Sequence, residues 1–340
     1  MRSSFLVFLA VVLTFPACDD LSIIREGGGT VVPILTSDAK IETPADLELG
    51  TDGILRLRVN GTGEYGCSFN TAGSNGPYEA TSASFSKNIV NSTIMAHANV
   101  LNAAHHFGIS SVRLRIRRVG TPAGEMYVEI RKADSNLPTD QVMKISDGLL
   151  ISNSGLGGNG SVVTFDLPEK LHVPKGADIA IVLRPSSGAS VDGSNNFRWV
   201  VVDGAGCTAF STSLSSDDGG NTWNEVAPLS PSFFHLVADV HSNSGSASWI
   251  IEGAHESIWV MSAFTMAEDP RRLQSGDILY DIGAGEDPSV PTYTHTALTL
   301  AQVRALPDLQ GRYLYVRAHL SVDAPGFDQA ELGDGQIKFR

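Results

Sequence analysis

The amino-acid sequence predicts an all-β protein made of two antiparallel β-sandwich units. Three observations lead to this fold class: 34 glycines in 340 residues, short segments that alternate apolar and polar residues, and few long amphipathic helical patterns. Hydrophobic residues make up 42% of the chain and charged residues 18%, which is the balance of a globular protein. A chain of this length can form two or three domains, each with its own core.

The first 17 residues have the organisation of a signal peptide. Arg2 precedes an uncharged apolar run over 5–15, which is shorter than the roughly 20 residues that a membrane-spanning helix needs. The run ends at Ala17 and Cys18, and a small residue before such a cysteine resembles the lipobox of bacterial lipoproteins, although Phe15 stands where that pattern prefers Leu. Cleavage by the ordinary signal peptidase is the alternative. The resemblance implies an exported lipoprotein, anchored in a lipid membrane through acylated Cys18, at the cell surface or on a periplasmic face.

The two other cysteines, Cys67 and Cys207, are predicted to form a disulfide. An even pair in a chain that leaves the cytoplasm is most simply oxidised, and two buried free thiols are the alternative. Closing a loop of about 140 residues would stabilise the fold by roughly 4–5 kcal/mol in the chain-entropy model.

Boundaries along the chain follow from changes in composition. A flexible tether is expected over 18–40, where Gly27 to Gly29 follow one another, and an N-terminal strand with loops over 41–84. The first sandwich is placed at 85–241 and the second at 249–340, with a polar linker between them. One short helix is compatible with 92–104.

An ordered series of strand and turn signals runs through the central unit. The segments are Phe85, 112–117, 120–122, 126–130, 137–138, 163–165, 171–176, 179–183, 197–199 and 233–240. This series resembles the bacterial extracellular β-sandwich modules of carbohydrate-binding or adhesive jelly-roll type. In the last unit, 311–317 and 337–339 resemble the ending of a discoidin-like sandwich. Both resemblances imply sandwiches, and a shared fold assigns no function by itself.

The octapeptide 216–223 matches the Asp-box pattern Ser-x-Asp-x-Gly-x-Thr-Trp at Ser216, Asp218, Gly220, Thr222 and Trp223. The predicted role is structural, because the Asp218 carboxylate can accept backbone hydrogen bonds within a tight hairpin while the Trp223 ring packs beneath it. Sialidases carry several such boxes on propeller blades together with an arginine triad. A single box without a propeller period argues against a sialidase.

Few residues have the pattern of a reactive or metal-binding site. The sequence shows none of the common nucleophile, zinc-protease or phosphate-loop motifs, and the doubled His105-His106 is expected at the surface. The acidic turns at 217–218 and 286–287 could hold a structural calcium, yet neither has EF-hand spacing, so we predict no cofactor. A formal charge of −13 makes nucleic acid a poor partner.

Four residues are candidates for ligand binding. Arg113, Arg115 and Arg117 alternate along one strand and therefore share a face, about 7 Å apart. That face is either solvated and paired with carboxylates, or a docking strip for an anionic glycan or a protein partner. Trp199 is a candidate sugar platform, although its strand pattern also fits the core.

The sequence therefore predicts a non-catalytic surface lipoprotein that binds a glycan or a surface protein, or has an adhesive role. A secreted glycan hydrolase with an unidentified carboxylate pair is one alternative, and a structural spacer or component of an extracellular assembly is another. Two carboxylates about 5–10 Å apart in one cleft would favour the hydrolase.

Overall fold

A computed structural model describes residues 25–26, 29–67, 88–90, 96–150, 156, 160–200, 212–226, 232–268, 278–323 and 326–340. These residues are nearly all in β-strands arranged in several antiparallel sheets, which confirms the predicted all-β class. Within the described ranges, no helix is long and apolar enough to cross a membrane.

The strands are numbered in chain order. They are β1 (Arg25–Glu26), β2 (Gly29–Ile34), β3 (Lys40–Ile41), β4 (Leu47–Leu49), β5 (Leu55–Leu57), β6 (Val59–Cys67), β7 (Asn88–Val90), β8 (Ala96–Asn102), β9 (Phe107–Val119), β10 (Glu125–Asp134), β11 (Leu137–Ile145), β12 (Leu149–Leu150), β13 (Ser161–Val173), β14 (Asp178–Pro185), β15 (Asn196–Trp199), β16 (Thr212–Ser216), β17 (Asn224–Glu225), β18 (Phe234–His241), β19 (Ser244–Glu252), β20 (Ile258–Glu268), β21 (Ile278–Gly285), β22 (His295–Leu298), β23 (Leu309–Gln310), β24 (Tyr313–Ser321) and β25 (Glu331–Phe339). A 3-10 turn (Thr36–Asp38) and one short helix, α1 (Leu300–Arg304), accompany them.

Strands β6 to β18 form the first unit, sandwich I. One sheet has the order β6-β18-β9-β15-β7, with β13 on the other edge of β9. The facing sheet has the order β11-β10-β14-β8-β16-β17, with β12 beside β10. Along β9 the side chains of Val112, Leu114 and Ile116 are buried in the core between the sheets. The arginines that alternate with them therefore lie on the outer face.

Strands β1 to β5 and β19 to β25 form the second unit, sandwich II. One sheet has the order β1-β2-β25-β20-β23, extended by β5 on β25 and β4 on β5, and the other has the order β22-β21-β24-β19-β3. The core between them buries Trp249, Trp259, Phe264 and Tyr280. Helix α1 begins at a capping box and adds the buried Val303 to this core.

Sandwich I is inserted into sandwich II. The chain leaves sandwich II at Arg58, builds sandwich I, and returns after His241. The two crossing points are adjacent, because Val59 pairs with His241 and the amide of Ser242 donates to the carbonyl of Arg58 at 2.8 Å. Insertions are tolerated when both ends of the inserted unit lie close together.

Because sandwich I is inserted into sandwich II, the domain boundaries predicted from the sequence are wrong. Residues 29–40 were expected in a tether, but β2 pairs with β25 from Thr30↔Phe339 to Ile34↔Gly335, and Ile34 is buried in the core of sandwich II. The predicted segment 41–84 is divided as well, since β4 and β5 belong to sandwich II and β6 to sandwich I. The predicted linker is also too long, because β19 already begins at Ser244.

The helix considered at 92–104 is wrong where the structure describes the chain. Residues Ala96 to Asn102 form β8, and all of them except Asn102 are buried. Leu101 faces the main core, whereas Ala98 and Val100 belong to a small cluster on the outer face of the same sheet. A strand that is buried on both faces shows no alternation, so its pattern resembles that of a buried helix.

A segment of sandwich II docks into sandwich I. Phe327 is buried in the core of sandwich I, where its ring lies 5.5 Å from Phe107 and 6.1 Å from Tyr65 between centroids. The next residue, Asp328, accepts hydrogen bonds from the His105 ring Nδ1 and from the amide of His106, both at 2.8 Å. We call residues 326–328 the junction segment. Its burial ties the two sandwiches together.

Candidate ligand-binding cleft

A cleft with a volume of about 590 Å³ lies beside the junction segment. Its walls come from both sandwiches: Glu48, Arg56 and Glu331 from sandwich II, and Lys170 and Asp239 from sandwich I. The volume is within the range of small-molecule sites, which is about 300–1,000 Å³. Of the surfaces described, this one combines concavity with several convergent charged groups.

The wall from sandwich I carries the ion pair of Lys170 and Asp239. The Lys170 Nζ donates to Asp239 Oδ2 at 2.8 Å, and the Asp239 side chain is only 9% exposed while that of Lys170 is 48% exposed. Asp239 lies on β18 beside Gly108, and a Cβ at position 108 would come within 2.9 Å of Asp239 Oδ2, so a larger residue there would displace this carboxylate. The carboxylate is largely buried, and the lysine remains accessible from the cleft.

The wall from sandwich II carries the ion pair of Arg56 and Glu331. These two residues are cross-strand neighbours on β5 and β25, and the Arg56 Nε donates to Glu331 Oε1 at 3.2 Å. Arg56 also donates to both carboxylate oxygens of Asp52, at 2.9 and 2.8 Å. Hydrogen bonding between Arg56 and Asp52 lowers the pKa of Asp52 to about 2 and is the main cause of the raised pKa of Arg56. The guanidinium is thus fixed in one orientation.

The polar lining also includes Gln329 and three histidines, His106, His172 and His241. His241 is buried, and its Nδ1 lies 3.2 Å from the carbonyl of Gly326 in the junction segment. Burial lowers the pKa of His241, so its ring is neutral at neutral pH. The Nδ1 of His106 accepts from the amide of Lys175 at 3.2 Å, which leaves the proton of a neutral ring on Nε2. The predicted surface position of His105-His106 is wrong: both rings are half-buried at the junction.

The predicted arginine strip lies on the outer face of the sheet of sandwich I that contains β9, and its three side chains are half-buried. Arg113 forms an ion pair with Glu64, which also pairs with His235. Arg115 Nε donates to the carbonyl of Gly160 at 3.4 Å, and Arg117 lies opposite Arg198 in the β9–β15 ladder. The carboxylate at Arg113 matches the solvated interpretation there. Burial, together with the charge of Arg117, lowers the pKa of Arg198.

Trp199 does not form a sugar platform. Its side chain is 1% exposed in the core of sandwich I, and its Nε1 donates to the carbonyl of Phe233 at 2.7 Å. The core interpretation of its strand pattern is the correct one. Burial of the ring with its N–H satisfied leaves no face for a ligand.

Residues 216–223 form a turn around the side chain of Asp218, which we call the Asp-box turn. Its Oδ1 accepts from the amides of Asn221 and Thr222, at 3.0 and 2.9 Å, and from the Ser216 hydroxyl at 2.7 Å, while Oδ2 accepts from the Thr222 hydroxyl at 2.7 Å. These bonds lower the pKa of Asp218, chiefly through the amide of Thr222. Gly220 has φ +99°, a conformation that favours glycine. The carboxylate is thus occupied by its own turn, although it lies at the exposed surface.

Beneath the Asp-box turn lies a buried charge network, on the outer face of the sheet of sandwich I that contains β10 and β14. Glu129, 1% exposed, pairs with Arg131 at 2.7 Å and Arg184 at 3.1 Å. The two guanidinium groups donate in turn to the carbonyls of Gly220 at 2.8 Å and Gly219 at 3.1 Å. The Asp-box turn therefore covers this network.

Several predicted groups are not tested by these contacts. Cys18, Cys207 and the side chain of Cys67 lie outside the described residues, so lipidation and the disulfide stay predictions. Within the described ranges, no group of three or more His, Cys, Asp or Glu side chains is arranged to hold a metal ion.

No protein-family model matches this chain, and no curated protein matches it. The fold is shown to be all-β, while the resemblance to carbohydrate-binding and discoidin-like modules stays a prediction. The cleft residues were not identified from the sequence. Lys170, Asp239, Arg56 and Glu331 stand in four separate strands, and no short motif joins them.

Proposed function

We propose that this protein is an exported lipoprotein that binds an extracellular ligand without catalysis, and that the cleft between the sandwiches is its binding site. Export and anchoring are supported by the signal-like N-terminus and by Cys18. One observation carries the choice of site: an ion pair from each sandwich, Lys170–Asp239 and Arg56–Glu331, lines a single concave surface. A glycan is the favoured ligand class, as the resemblance of the central unit also implies.

Glycan hydrolysis is the second candidate function. The observation that favours it is the presence of two largely buried carboxylates, Asp239 and Glu331, in one cleft. A hydrolase needs one carboxyl group that is protonated before it acts as general acid. Here each carboxylate already accepts a hydrogen bond from a cationic side chain, which occupies one of its oxygens.

The anchoring proposal is tested by mass spectrometry of the mature protein. We expect an N-terminal acylated Cys18, and the Cys18→Ser variant should be released from the membrane fraction. A mature N-terminus elsewhere without lipid would refute the anchor.

The binding site is tested by filling the cleft. Val59 lines the cleft and is 47% exposed, so Val59→Trp places a large ring there without burying it. Val290→Trp is the matched control, because Val290 is 64% exposed and outside the cleft lining. The full-length protein in detergent is applied to an array of neutral, amino-sugar and uronic-acid polysaccharides. We expect Val59→Trp to abolish binding and Val290→Trp to leave it unchanged. Equal binding by both variants would exclude the cleft as the site.

Asp218→Ala adds a second control on the same array. The Asp box lies on the outer face of sandwich I, so the variant should melt at a lower temperature and still bind. Loss of binding at an unchanged melting temperature would move the site to the Asp box. Release of reducing sugar from a bound polysaccharide, abolished by Asp239→Asn, would support the hydrolase instead.

A further inference from the structure

We infer that the cleft takes a neutral saccharide, and that each of the two ion pairs binds a pair of adjacent hydroxyl groups. This inference rests on the proposed function and names the chemistry of its ligand. It depends on the hydrogen-bonding capacity that the ion pairs retain, on the charge of the cleft, and on the apolar surface beside them.

An ion pair matches two adjacent hydroxyl groups because a hydroxyl both donates and accepts a hydrogen bond. A carboxylate offers about four lone-pair sites and an ammonium group three donors. The contact between Lys170 Nζ and Asp239 Oδ2 uses one of each. One sugar hydroxyl can then donate to Asp239 while its neighbour accepts from Lys170. Hydrogen bonds to charged partners are about twice as strong as neutral ones.

The second ion pair repeats this arrangement on the opposite wall. The guanidinium of Arg56 has five N–H donors, and its hydrogen bonds to Glu331 and Asp52 use three of them. Arg56 therefore presents two further N–H donors beside the Glu331 carboxylate. Because this pair belongs to sandwich II and the other to sandwich I, one ligand would contact both units.

The charge of the cleft favours a neutral ligand over an acidic one. The two ion pairs are each neutral overall, and Glu48 adds a further carboxylate, which pairs with Arg58 at 3.6 Å outside the lining. A uronic acid would bring its own carboxylate beside Glu48, Asp239 and Glu331. The formal charge of −13 on the whole chain opposes it further.

Apolar side chains supply the remaining contact surface. Phe107 and Val173 line the cleft but are only 2% exposed, so the accessible apolar surface comes from Pro174 and from Val59 at the crossing point between the sandwiches. The C–H groups of a sugar ring can pack on these side chains while its hydroxyls face the ion pairs. Binding sites of this kind combine an apolar surface with a small number of placed polar groups.

The test is isothermal titration of the full-length protein in detergent with three hexasaccharides: a β-glucan, a mannan and a polygalacturonate. We expect at least one neutral hexasaccharide to bind and the polygalacturonate to bind at least tenfold more weakly. Asp239→Asn and Lys170→Met should each weaken the neutral sugar about tenfold. Lys170 is half-exposed, so its variant folds even if Asp239→Asn destabilises the protein. Glu169→Gln, next along the strand and paired with Lys144 outside the cleft, is the control and should change the affinity less than twofold.

The outcomes separate this inference from the proposed function. If Val59→Trp abolishes binding while Asp239→Asn and Lys170→Met leave it intact, the cleft is the site and the ion-pair inference is wrong. Preference for polygalacturonate, or no binding of either neutral hexasaccharide, also overturns the inference. If Val59→Trp binds normally, the proposed site itself fails.

Discussion

The two sandwiches differ in how their strands are distributed along the chain. Sandwich I is continuous in sequence from Val59 to His241, whereas sandwich II joins 25–57 to 244–340 through strands that lie far apart in the chain. Sandwich I also buries charge outside its main core, under the Asp-box turn, and sandwich II has no described counterpart of that turn. A local sequence pattern therefore identifies a strand, whereas the strand that it pairs with depends on residues far away in the chain.

The largest effect should follow from removing the N-terminal strands. A chain that begins at residue 41 lacks β2, including the buried Ile34, so β25 loses one of its neighbouring strands and the core opens. Truncating one buried isoleucine already costs about 2–5 kcal/mol, and the deletion should leave sandwich II unfolded. Limited proteolysis should cleave 244–340 and spare 96–200. Resistance of both regions would show that sandwich II does not need its first strands.

The next effect should be confined to sandwich I. Glu129→Ala leaves the buried Arg131 and the half-buried Arg184 without their carboxylate, and removing one partner of a buried ion pair costs about 3–5 kcal/mol. Chemical denaturation followed through sandwich I should show this loss. Glu225→Gln, an exposed position on the same sheet, is the control and should change stability by less than about 0.5 kcal/mol. A loss of similar size in both variants would contradict the role of the network.

Phe327 tests whether the two units are energetically independent. It lies between two strands of sandwich II, β24 and β25, in sequence but is 3% exposed in the core of sandwich I. Phe327→Ala should therefore destabilise sandwich I by about 3 kcal/mol. Hydrogen exchange should increase around Phe107 and Tyr65, which contact the ring. Leu150→Ala, 59% exposed, serves as the control. Exchange that rises only within sandwich II would place the energetic role of Phe327 there.

The smallest effect should be a pH dependence at the junction. Burial lowers the pKa of His241 below its ordinary value of 6.5, against the opposing influence of Gly326, Asp239 and Asp328 and with a further lowering from Lys170. The unfolded state therefore binds the proton more readily, and stability should be full above about pH 6.5 and decline as the pH falls below it. His241→Asn should flatten part of that decline, and the remainder includes His235, whose pKa burial also lowers. An unchanged pH profile in His241→Asn would contradict this assignment.

The sequence predicted the fold class and most strands of sandwich I, because Val112, Leu114 and Ile116 alternate with arginines on a half-buried strand. It failed at β2 and β8 for opposite reasons. The sequence Gly29–Ile34 contains Pro33 and follows a glycine run, so it looks like a tether, and β8 is buried on both faces. The cleft could not be predicted because Arg56 and Asp239 meet only after the insertion has folded.

The insertion has a consequence for the order of folding. Strand β2 must find β25 across nearly the whole chain, and closing a long flexible loop is entropically unfavourable. Once sandwich I has folded, its ends at Arg58 and Ser242 are hydrogen-bonded neighbours, so roughly 180 residues become a connector only a few residues long. Because closure entropy depends on the logarithm of loop length, shortening the β2–β25 loop from roughly 300 to roughly 120 residues is worth about 0.8 kcal/mol. Since β25 is also synthesised after the other described strands, sandwich I can finish folding before β25 completes sandwich II.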